Sequence, residues 1–164
     1  MDRGSINMNQ QSFDRAEWQR DLQWVSVVLR AALGSLFLSA GIMKLPGGIA
    51  GTVGYYSTLF EHSLLPHVLV TAHASVIMAV EFLLAGWLLS GYRLAIGWKV
   101  SAAVLVSLAI GMIFAGKFDV AANNYVYVAL SLAGLVTSRF DRWVLGLVPA
   151  AAREPDLRRQ AAES

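Results

Sequence analysis

Four long apolar runs occupy most of a chain of only 164 residues, at roughly 24–45, 68–90, 94–115 and 120–138. Each is about as long as the ~20 residues with which a helix crosses a ~30 Å hydrocarbon layer. Charged residues make up only 15% of the chain, against about a quarter in soluble domains. The sequence therefore predicts an all-α fold, an integral membrane four-helix bundle embedded in a lipid bilayer. Four crossings leave no room for a second domain. The expected division is a tail over 1–21, a transmembrane unit over 22–148 and a second tail over 149–164. Residues 1–21 lack the short apolar core and cleavage site of a secretory signal, so they read as a retained tail.

Charge sets the expected orientation. Of the thirteen Lys and Arg residues, eleven fall on the side of the tails under an even number of crossings. Only Lys44 and Lys117 fall on the other. By the positive-inside rule both termini are expected in the cytoplasm. The tryptophans agree: Trp18, Trp24, Trp87, Trp98 and Trp143 all map near the inner boundary, whereas Tyr55, Tyr56, Tyr125 and Tyr127 map to the outer half.

The connections differ in kind. A tight Gly91-Tyr92-Arg93 turn joins the second and third runs, which predicts antiparallel neighbours. The first loop is long, and within it Ile49, Val53, Tyr56 and Phe60 recur at helical spacing. A short helix is expected there, either lying on the outer interface or capping the bundle mouth. After Ser138 the chain reads Arg139, Asp141, Arg142 and then an apolar piece from Trp143. These charges are expected to snorkel while the apolar piece rests on the inner surface.

A charge inside a span is costly, so Arg30, Glu81 and Lys99 need an explanation. At a rise of ~1.5 Å per residue, Arg30 lies about 9 Å above Trp24, Glu81 about 13 Å above Ser90 and Lys99 about 8 Å above Leu94. That puts all three in reach of one another as an intramembrane charge cluster. Glu81, with its short stem, must be protonated, paired or facing water. The expectation is a buried pair with Arg30, the alternative being that Arg30 and Lys99 each snorkel to headgroups.

Other chemistry is limited by residue content. With no cysteine, the chain cannot form disulfides, ligate an iron–sulfur cluster or attach a c-type haem through its own residues. His62, His67 and His73 have neither a His-x-x-x-His spacing nor an intramembrane partner on another span, so no metal site and no intrinsic bis-histidine haem are expected. No basic patch with interleaved aromatics points to nucleic acid. Lys44, His73 and Asn124, with Asp119 and Asn123, could line a polar outer vestibule; ordinary interfacial polarity is the plainer alternative. Small residues (Gly34, Ser35, Ser39 and Gly41; Gly111, Ala115 and Gly116; Ala129 and Ala133) offer close helix approach.

The stretch from Arg30 through Phe37, Gly41 and Lys44, the Leu65-Pro66 step and a second span carrying Glu81 before Gly86-Trp87-Leu88-Leu89-Ser90-Gly91 resembles DoxX-like membrane proteins. The resemblance covers about 26–143, and the matching polar positions are Arg30, Lys44 and Glu81. Relatives of that group include the membrane subunit of thiosulfate:quinone oxidoreductase and the methylamine-utilisation MauE type. The resemblance implies a subunit of a quinone-linked redox system in a bacterial inner membrane, which either binds quinone, as a ligand rather than an intrinsic cofactor, or anchors an electron-donor partner. Lys44, His73 and Asn124 are then the candidate quinone contacts. An accessory or assembly subunit of a larger membrane complex, acting through protein partners, is the alternative. Whether the chain has catalytic activity of its own stays open.

Overall fold

A computed structural model describes residues 3–141, with side chains from residue 17 onward. The expected apolar piece after Trp143 and the tail over 149–164 lie outside the described residues. Among the described residues there are helices and turns only. Helix α1, Arg3–Lys44, carries the first span and continues back through most of the polar N-terminal segment. A short 3-10 turn over Leu45–Gly47 leads into α2, Gly48–Leu59. Three further spans follow as α3, His67–Ser90, α4, Leu94–Phe114, and α5, Phe118–Thr137, which ends in a 3-10 turn over Ser138–Phe140. Four helical stretches are long and apolar enough to cross a membrane, so the chain is a four-helix membrane bundle.

The turns follow from local chemistry. Pro66 begins α3, where its missing N–H costs nothing. Gly91 ends α3 in the left-handed region at φ 75°, where a side chain would be strained. Arg93 also takes a positive φ, 43°, as α4 begins. This confirms the tight turn expected at 91–93, yet α3 and α4 touch over little of their length. Instead α3 packs chiefly along α1, and α4 along α5. A short turn fixes only where two helices meet; their side chains decide how far they stay together.

Small residues set these two pairings. A side chain at Gly34 would run into Leu89, and one at Gly41 into the ring of Phe82, so both glycines bring α1 close to α3. On α5 the decisive residue is Gly134, over which the indole of Trp98 lies; a methyl there would overlap that ring. The expected small positions Ala129 and Ala133 are exposed instead. Trp98 joins Leu33, Phe37, Leu84, Leu88 and Leu105 in the core of the tail-side half.

Where α3 and α4 part at the loop end, α2 fills the space. Tyr56 and Phe60 are buried against Val70, Ala74 and Ile77 of α3, with Leu108 and Met112 of α4 packed around them. Thr52 is buried on the same face and donates to Gly48 O at 2.9 Å, while Ile49 is exposed. Helix α2 is thus a packed wedge rather than a helix lying loose on the interface. Its inward face runs through residues 52, 56 and 60, turned slightly from the stripe that began at Ile49.

Candidate functional site

Side-chain direction decides which intramembrane charges meet. A helical side chain leans toward the N-terminus of its own helix. Lys44, at the loop end of α1, therefore leans back into the bundle. Glu81 on antiparallel α3 leans toward it. The Lys44 ammonium donates to Glu81 Oε1 at 2.7 Å, to Oε2 at 2.8 Å and to Ala40 O at 3.2 Å. The Glu81 side chain is only 4% exposed, that of Lys44 22%.

Arg30, on the same helix as Lys44, also leans toward the tails. Its guanidinium donates to Leu88 O and Leu89 O, each at 2.9 Å, and to Asp141 Oδ2 at 2.9 Å. Ser26, one turn back on α1, donates to the same Asp141 oxygen at 2.9 Å. Arg30 thereby takes up the Leu89 carbonyl at the end of α3 and shares that of Leu88 with the Gly91 N–H. It also ties the segment after α5 to α1.

The sequence-based pairing of Glu81 with Arg30 is corrected by these contacts: Glu81 goes to Lys44, and Arg30 to Asp141. The depth estimate failed because it set Trp24 level with Ser90. Arg30 itself stands beside Leu88 and Leu89, seven residues or about 10 Å along α3 from Glu81. Asp141, expected to snorkel, is buried, its side chain only 1% exposed. Lys99 joins neither group; it lies exposed on α4, with its own route to the headgroups.

Around Glu81 the loop-end half of the bundle gathers polar and aromatic groups. The Tyr56 ring stacks on Phe60 with centroids 6.0 Å apart and planes 9° apart. It meets His73 edge-on at 6.4 Å and Tyr55 edge-on at 5.5 Å. Tyr56, His73 and Ser107 contribute the polar atoms to a cavity of about 200 Å³ between α2, α3 and α4. Phe60, Val70, Leu108, Gly111 and Met112 form much of its apolar wall.

The three expected vestibule residues are dispersed. Lys44 is engaged by Glu81 and borders a separate shallow cleft shared with Tyr55 and Tyr56. His73 faces the cavity. Asn124 turns back on its own helix and donates to Val120 O at 3.0 Å. Sequence reasoning named neither Tyr56 nor Ser107 as a site residue. The helical stripe through Tyr56 was a signal for its burial; nothing local marked Ser107. No group of three or more His, Asp or Glu residues that could hold a metal is found among the described residues.

Fold and charge layout define a polytopic helical membrane protein whose buried ions hold its helices together. The chain matches the family of methylamine utilisation protein MauE over residues 22–123, more than half its length, and belongs to that family. The match runs through the first three spans into the start of α5. It replaces the broader DoxX-like resemblance with the MauE type. No curated protein and no solved structure matches the chain.

Proposed function

We propose that the chain is a membrane accessory component of a redox system of the methylamine-utilising type, serving a partner protein at the membrane. Membership of the MauE family carries this reading. The geometry is consistent with it: Lys44, Glu81, Arg30 and Asp141 are all engaged in joining helices, which makes a stiff scaffold. The setting is a bacterial inner membrane with both termini cytoplasmic, supported by the eleven-to-two asymmetry of basic residues.

Native purification in mild detergent tests the role. A stoichiometric complex with a redox protein is expected, and a chain that emerges alone from its own host's membranes refutes it. A reporter fused after Ser164 is expected to act in the cytoplasm.

A second reading is a quinone-linked subunit, as in the membrane part of thiosulfate:quinone oxidoreductases. The cavity beside Tyr56 and His73 favours it, since an apolar pocket with a few convergent polar groups suits a small-molecule headgroup.

A further inference from the structure

The cavity is lined by a tyrosine whose hydroxyl is unpaired among the described residues. Tyr56 is only 7% exposed, and its hydroxyl has no hydrogen-bond partner among the described residues, although the ring lines the cavity. His73 likewise has no hydrogen bond among the described residues and lines the same space. Ser107 donates to Val104 O at 2.7 Å, which leaves its oxygen free to accept.

Size and walls narrow the occupant. A dry cavity of about 150 Å³ takes up a benzene ring, so about 200 Å³ suits one six-membered ring with small substituents better than a fused pair. The Tyr56, Phe60 and His73 rings offer faces and edges to a planar guest. The rim at Leu69, Ile110 and Phe114 is exposed on the outside of the bundle, where the bilayer would lie. A ligand can therefore enter sideways and leave an apolar tail among the lipids.

Resting on the quinone-linked reading, we infer that this cavity binds the headgroup of a single-ring quinone, with Tyr56 donating to one of its carbonyl oxygens. Lys44 and Asn124 take no part. The ammonium of Lys44 is held by Glu81, and the Asn124 amide by its own helix.

Calorimetric titration of the full chain in nanodiscs tests this, using a decyl-tailed benzoquinone and a naphthoquinone with the same tail. Saturable binding of one benzoquinone per chain is expected, with the naphthoquinone at least about tenfold weaker. Tyr56→Phe keeps the ring and is expected to weaken binding about fivefold, the value of one hydrogen bond, without lowering the melting temperature of the unliganded protein. Ser107→Leu fills the space and is expected to abolish binding; Asn124→Ala leaves it unchanged. Non-saturable uptake, equal affinity for the two ring systems, or an unaltered Tyr56→Phe affinity would each overturn the inference. A chain that binds no quinone yet still purifies with a redox partner removes this inference and leaves the accessory role standing.

Discussion

Lys44 grips both carboxylate oxygens of Glu81, at 2.7 and 2.8 Å, by folding back from the last residue of α1 into the bundle. The pair locks α1 to α3 at the level where α2 departs, beside the cleft that Lys44 shares with Tyr55 and Tyr56. Its two ends are unequal in burial, and this gives it a distinctive mutational signature.

Removing Lys44 strands a carboxylate that is only 4% exposed, whereas removing Glu81 leaves an ammonium that can swing toward headgroups. Lys44→Met is expected to cost about 3 kcal/mol, Glu81→Gln about half of that, and the double change Lys44→Met with Glu81→Gln less than Lys44→Met alone. Reversible unfolding in mixed micelles reads all three. Additive losses in the double variant would show that the two side chains act independently.

Arg30 depends on the planar fork of its guanidinium, which reaches two carbonyls and a carboxylate at once. A lysine has the charge without the fork. Arg30→Lys is therefore expected to lose about 1–3 kcal/mol, with the segment at Asp141 that follows α5 becoming sensitive to protease. Unchanged protease resistance in Arg30→Lys would count against the clasp.

Lys99 supplies the contrast. It is exposed and outside both ion pairs, so Lys99→Leu is expected to shift stability by less than about 0.5 kcal/mol. A large loss in the same unfolding assay would show that Lys99 is engaged within the bundle.

Gly134 and Trp98 form the tightest fit between α4 and α5. Gly134→Ala is expected to cost about 1–3 kcal/mol through overpacking, and Trp98→Leu on that background to restore part of it. Thermal melting of the three variants decides the matter; a neutral Gly134→Ala would show that the indole can shift.

Four spans, their all-helical character, the Gly91 turn and the demand that Glu81 find a partner were legible in the sequence, because each follows from length, local backbone chemistry or the cost of one buried charge. So were Gly34 and Gly41 as points of close approach, since small residues in a span have few other uses. The partners themselves were not. Whether Glu81 meets Arg30 or Lys44 depends on how far α1 slides along α3 and on the lean of each side chain, and apolar runs mark span ends too loosely to fix either. Asp141 looked like a surface charge until the end of α5 was brought against Ser26 and Arg30. The cavity exists because α3 and α4 separate and α2 wedges between them, joining Tyr56, His73 and Ser107 from three helices. Helix formation is a local matter of backbone and hydropathy; register, lean and the space between helices belong to the whole bundle, and only the tertiary structure decided them.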